Sequence, residues 1–216
     1  MQFLFDFISP YAYLAWTQIN ALAERHKRSV EPVPVLFAGL LNAHGHKGPA
    51  EIPAKRRYVF VDCCRKAHRL GLPPLTPPPT HPFNPLLALR AAAYPCDPLQ
   101  QRRFIDALFA ATWTGGGGIE TEQAIAAQAA KAGLDAAAVL AYATSEPAKT
   151  ALRRCTEEAI ARGVFGVPTV LLGQELFWGT DSLDHLEDYL LGKDPVPPDL
   201  LLKWQDLRPS AVRSPR

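Results

Sequence analysis

The chain opens by running a short apolar strand straight into a helix. Residues 3–7 form an apolar run that stops at Ser9-Pro10-Tyr11, where a helical pattern takes over. Such a join sets a small hydroxyl side chain at a helix N-terminus. Backbone N–H groups there lack intrahelical partners and the helix dipole is positive, so the position favours an anion. Far downstream, Phe165-Gly166-Val167-Pro168-Thr169 leads into a second apolar run. If these two ends join in one sheet, most of the chain between them is an insertion.

Residues 2–7 read as a buried strand, 11–27 as a helix with Ala15, Ile19 and Leu22 on one face, and 32–37 as a second strand. A crossover helix makes that strand pair parallel. From about residue 38 to 162 the signals are mostly helical. They comprise 52–70, 84–94, 99–113, a helix that starts at Thr121 and stops at Gly133, then 135–143 and 145–162. Residues 169–172 and 175–178 read as a hairpin turned at Gly173-Gln174, followed by a helix over 180–191. The expected class is α/β, in the order βαβ, a block of helices, then ββα. Residues 1–37 and 164–193 form one discontinuous domain, 38–163 an inserted all-helical domain, and 194–216 a loosely packed tail. Residues 71–85 hold seven prolines in fifteen and read as a rigid surface connector or as a wall of a cleft.

Composition narrows the partners. Lys and Arg number 23 against 21 Asp and Glu, a net charge of +2, so no strong field draws in nucleic acid or a membrane surface. No apolar run approaches the roughly 20 residues that cross a bilayer, and no signal peptide is read at the start. Cys63, Cys64, Cys96 and Cys155 lack Cys-x-x-Cys spacing and read as free buried thiols in a reducing cytoplasm. No metal is expected: His44 and His46 have no cysteine or acidic cluster beside them, and His81 stands alone.

A strand that hands Ser9 to a helix start, paired with a distant Val-Pro-Thr before another strand, resembles the thioredoxin-like active site. Redox members begin that helix with Cys-x-x-Cys; here the four positions read Ser9-Pro10-Tyr11-Ala12. More specifically, residues 6–15, 52–58 (IPAKRRY), 81–84 (HPFN), 88–90 (ALR), 166–169 (GVPT) and 177–181 (FWGTD) resemble the 2-hydroxychromene-2-carboxylate isomerases. That family groups with the kappa-class glutathione transferases and the periplasmic-type disulfide oxidoreductases. The resemblance covers residues 1–191. It implies a thioredoxin-like fold with an inserted helical domain, a cytoplasmic homodimer, glutathione as cofactor and a small aromatic carboxylate as substrate. It also implies interconversion of 2-hydroxychromene-2-carboxylate and trans-o-hydroxybenzylidenepyruvate in naphthalene-type catabolism, with glutathione adding, permitting bond rotation and leaving unconsumed. A kappa-like transferase and a non-catalytic thioredoxin-like binding module are the alternatives.

The site residues follow from this resemblance. Ser9 is the expected catalytic serine, donating to the glutathione sulfur; by itself it also reads as a plain helix N-cap. Val167-Pro168 is expected to be cis and to present Val167 to the cysteinyl part of glutathione. Thr180 and Asp181, at the last helix start, are expected to take the γ-glutamyl end. There Ser182 replaces the usual Arg of the family pattern. His46 falls where many members carry Asn, and also reads as an exposed loop histidine. Tyr11, Lys55 (with Arg56), Tyr58 and Asn84 are the expected substrate-side residues, although the basic run at 55–57 equally suits a solvated face.

Overall fold

The computed structural model describes residues 1–197, 204, 207–208 and 210–211. Most of the expected loose tail lies outside the described residues. Four strands form one sheet in the order β2-β1-β3-β4: β1 Gln2–Phe5, β2 Glu31–Pro34, β3 Thr169–Leu172 and β4 Glu175–Trp178. As expected, β1 pairs parallel with β2 through the crossover helix α1 (Pro10–Arg25). The returning β3 pairs antiparallel with β1, with Phe3 opposite Val170, and the β3–β4 hairpin completes the sheet.

Both ends of the chain thus meet in a mixed α/β fold. Between them run α2 Phe37–Ala43, α3 Pro53–Arg69, α4 Leu86–Ala92, α5 Pro98–Trp113, α6 Glu122–Lys131, α7 Ala136–Thr144 and α8 Glu146–Ala161. After β4, a 3-10 turn at Thr180–Ser182 leads into α9 Leu183–Leu190. Polar caps set the helix starts. Asp97, Thr121, Asp135 and Ser145 each accept backbone amides of the first turn, which satisfies donors the helix itself leaves open.

Side chains of β1 alternate between two cores, as the strand period requires. Phe3 and Phe5 face a large core with α1, α5 and α9, where Phe109 meets Phe5, Phe7, Tyr13 and Trp16 at ring centroid distances of 4.8–6.2 Å. Leu4 faces a smaller core with Val35, Leu40, Ala159, Val164, Val167 and Leu171. Hence α2 and α8 cover the second face of the sheet.

Three details differ from the sequence reading. The strands are shorter: β1 ends at Phe5, and the second strand stops at Pro34 because Phe37 already begins α2, a helix too short to show a clear period. The last helix starts with a 3-10 turn. And burial of the cysteines holds fully only for Cys63; Cys64 is exposed, Cys96 and Cys155 are half-buried, and all four are free. Neighbouring positions on a helix point about 100° apart, which leaves Cys63 buried and Cys64 exposed. No helix among the described residues is long and apolar enough to cross a membrane.

Candidate active site

The β1–α1 turn delivers Ser9 to the first turn of α1. Its Oγ accepts the Ala12 amide at 3.2 Å, a capping bond. The hydroxyl lies 3.5 Å from the Val167 carbonyl, too far for a strong hydrogen bond, so its proton remains available to another acceptor. Pro10 has no N–H, and the Tyr11 amide has no hydrogen-bond partner among the described residues. A hydroxyl and a free amide at a positive helix end therefore converge where Val167 closes in.

Val167-Pro168 is cis, and Ser9, Val167 and Pro168 are all buried. Gly166 makes this approach possible: a Cβ on it would sit 2.6 Å from Trp178 Nε1. Trp178 in turn packs edge-on against Phe165, ring centroids 5.0 Å apart. Gly166→Ala is therefore expected to push the indole off Phe165 and to cost about 1–3 kcal/mol. Chemical denaturation followed by tryptophan fluorescence measures both effects; an unchanged midpoint and spectrum would contradict this packing.

Thr180 reaches the same helix end. Its Oγ1 donates to the Tyr11 carbonyl at 3.1 Å, while the amides of Thr180 and Asp181 have no partner among the described residues. Asp181 pairs with Lys66 of α3 at 2.6 Å. Lys66 also lies 3.4 Å from Asp62 and over the Tyr11 ring, 5.3 Å from its centroid. The Tyr11 hydroxyl donates to Asp62 at 2.8 Å. Burial and the Asp62 hydrogen bond both raise the Tyr11 phenol, so it stays protonated. Partial burial works to lower the Lys66 ammonium, but the bond to Asp181 and the two neighbouring carboxylates outweigh it and raise it. Burial first, and then Asp62, push the Cys63 thiol beside this group up to about 12, which makes it a poor nucleophile.

The turn that carries Ser9 is braced by side chains from distant elements. Trp113 Nε1 donates to the Phe7 carbonyl at 3.0 Å, and His81 Nε2 sits 2.9 Å from the Ile8 carbonyl, which requires the proton on Nε2. Burial lowers the His81 imidazole, with Arg56 acting in the same direction.

The expected residues thus divide. Ser9, Tyr11, Val167, Pro168, Thr180 and Asp181 come together. Lys55 and Tyr58 are exposed on α3; Lys55 lies two turns and Tyr58 one turn before Asp62, on the face that meets Tyr11. Asn84 is exposed, and its Oδ1 accepts the Leu86 amide at the start of α4. His46 is exposed on the loop after α2, and its side chain makes no hydrogen bond to any described residue. Asp62, Lys66, His81 and Trp113 also border this site although the sequence reading does not place them there; Asp62 and Lys66 carry an i,i+4 acid–base signal on α3 that marks them.

A family model described as a DsbA-like thioredoxin domain matches residues 1–191. The chain belongs to the DsbA-like thioredoxin family. This DsbA-like protein is 32% identical over 193 residues to the 2-hydroxychromene-2-carboxylate isomerase of Sphingobium xenophagum, covering 88% of this chain and 97% of that one. It is 31% identical over 189 residues to the enzyme of the same name from Pseudomonas putida, covering 87% and 92%. The glutathione S-transferase kappa 1 of Rattus norvegicus is 25% identical over 93% of this chain and 95% of its own. A solved 2-hydroxychromene-2-carboxylate isomerase superposes with a TM-score of 0.81 at 29% identity, over 95% of this chain and 96% of that one. Unlike a dithiol oxidoreductase, this DsbA-like protein has no cysteine at Ser9-Pro10-Tyr11-Ala12, so exchange by an attacking and a resolving thiol has no residues to carry it there.

Proposed function

We propose that this protein is a glutathione-dependent isomerase that interconverts 2-hydroxychromene-2-carboxylate and trans-o-hydroxybenzylidenepyruvate. One observation carries the reading: the Ser9 hydroxyl sits at a helix N-terminus and its proton has only a long, weak bond to the Val167 carbonyl at 3.5 Å, which a better acceptor can replace. The likeness in sequence and structure to enzymes of that name supports the substrate class.

The residues suit glutathione. Ser9 and the Tyr11 amide supply donors for a sulfur anion. The unpartnered amides of Thr180 and Asp181 suit a carboxylate, and the Asp181 carboxylate suits an ammonium. Val167-Pro168 and His46 complete the proposed cofactor side. When bound, glutathione supplies a thiolate that adds to an unsaturated carbon and leaves again. Ser9 and the helix dipole favour that charge, and they cost little reorganisation because the turn already holds them. Tyr11, kept protonated, donates rather than accepts. Lys55, Tyr58 and Asn84 are exposed, and in this reading they offer an aromatic carboxylate a cation, a ring and an amide.

A spectrophotometric assay with 2-hydroxychromene-2-carboxylate, run with and without glutathione, tests this. Turnover only with glutathione, and none of it consumed, is the expected result. The likeness to kappa-class transferases favours a second reading, conjugation of glutathione to another electrophile, which consumes the thiol. No glutathione binding by calorimetry would remove both.

A further inference from the structure

Among the described residues Asp6 is a carboxylate with no solvent exposure at all. It stands three residues before Ser9, just beyond β1. Each of its carboxylate oxygens accepts one amide, Oδ1 from Ile8 at 3.1 Å and Oδ2 from Phe37 at 2.9 Å. Its backbone carbonyl accepts the Ser9 amide at 3.1 Å. One residue therefore holds the Ser9 turn at two points. It also ties that turn to the start of α2, the helix that leads to the His46 loop.

This arrangement is costly for a merely structural tie. No described lysine, arginine or histidine pairs with Asp6, and burial pushes its carboxyl up to about 7 in spite of the two amide bonds, which lower it. A turn of this kind can be closed by a neutral Asn or Ser side chain with no buried charge. A carboxylate without a counter-ion, three residues before the N-cap of an anion-favouring helix end, points to electrostatics.

We propose that Asp6 is a positioning residue of the thiolate site: its carboxylate fixes the Ser9 turn through the Ile8 and Phe37 amides and opposes a second negative charge at the end of α1. The inference rests on the glutathione reading above. A thiolate beside Ser9 makes Asp6 take up a proton more readily, and a protonated Asp6 lets the thiolate form more readily, since linkage is reciprocal. Protonation also turns one acceptor oxygen into a donor, which weakens one of the two amide bonds. The other titratable groups around the turn do not touch the Asp6 carboxyl. His81, with Arg56 beside it, bonds the Ile8 carbonyl; Tyr11, Asp62, Lys66 and Asp181 bond one another; His44, just after α2, bonds the Val164 carbonyl; and Cys155 lies on α8.

The test follows the Asp6 carboxyl carbon by NMR in the wild-type protein, titrated from pH 5 to 9, alone, with glutathione and with S-methylglutathione. Glutathione is expected to raise the Asp6 midpoint by about one pH unit, the scale of a nearby like charge, whereas S-methylglutathione, which cannot ionise at sulfur, leaves it in place. Asp6→Asn is expected to lower the thiol midpoint of bound glutathione, read from thiolate absorbance. If both ligands bind by calorimetry and the Asp6 midpoint moves with neither, or equally with both, the Asp6 role is wrong and the glutathione reading stands. If neither binds, both fall. The wild-type titration decides the matter even if Asp6→Asn does not fold.

Discussion

Ser9→Ala is expected to lower glutathione-dependent turnover by about 100- to 1,000-fold, the loss that follows removal of one preorganised donor to a developing or bound anion. The fold should barely notice. Ser9 Oγ caps α1 through the Ala12 amide, and losing an N-cap side chain costs about 1 kcal/mol. The two effects separate cleanly because the hydroxyl has two jobs: its oxygen accepts from Ala12, while its proton has only the distant Val167 carbonyl. Steady-state kinetics and thiolate absorbance of bound glutathione, wild type against Ser9→Ala, measure the first effect. Thermal unfolding measures the second. Equal thiol midpoints in the two proteins would remove Ser9 from the mechanism, whatever the fold does.

Trp113→Ala is expected to have the opposite signature, a large loss of stability. Trp113 is fully buried at the end of α5, and Trp→Ala in a core typically costs about 3–5 kcal/mol. Here the indole N–H also satisfies the Phe7 carbonyl, and stranding a buried acceptor adds about 1–3 kcal/mol. At about 2–4 °C per kcal/mol for a chain of this size, the melting temperature should fall by roughly 10 °C or more. Trp113→Phe keeps most of the volume and loses the N–H, so its smaller loss isolates the hydrogen bond. A drop of less than about 3 °C for Trp113→Ala would show that the turn carrying Ser9 does not lean on α5.

How much of this was legible from residue order follows from the range of each interaction. The hairpin at β3–β4 was placed to the residue, because alternation and Gly173-Gln174 act over a few positions. The helix starts at Thr121 and Ser145 were equally local, each set by a side chain bonding an amide three residues on. The cis Val167-Pro168 is expected through likeness to a known family, whereas the Ser9 cap reads from the local pattern alone; both are present. Helix α2 has no sequence signal of its own, because seven residues make only two turns, too few for a period to show.

The surroundings of the site belong to a different range. Trp113 meets the Phe7 carbonyl across 106 positions, Lys66 meets Asp181 across 115, and Thr180 meets the Tyr11 carbonyl across 169. No periodicity or cap signals such pairs, because their partners become neighbours only when β3 returns antiparallel to β1 and α3 and α5 close around α1. Asp6 is the sharpest case. Within the opening run it looks like one polar residue on a strand, and only the packed fold makes it a buried charge between two amides. Local chemistry wrote the elements and the hydroxyl at the helix end; the tertiary structure alone chose what surrounds that hydroxyl, since desolvation and long-range pairing exist only after the chain has closed.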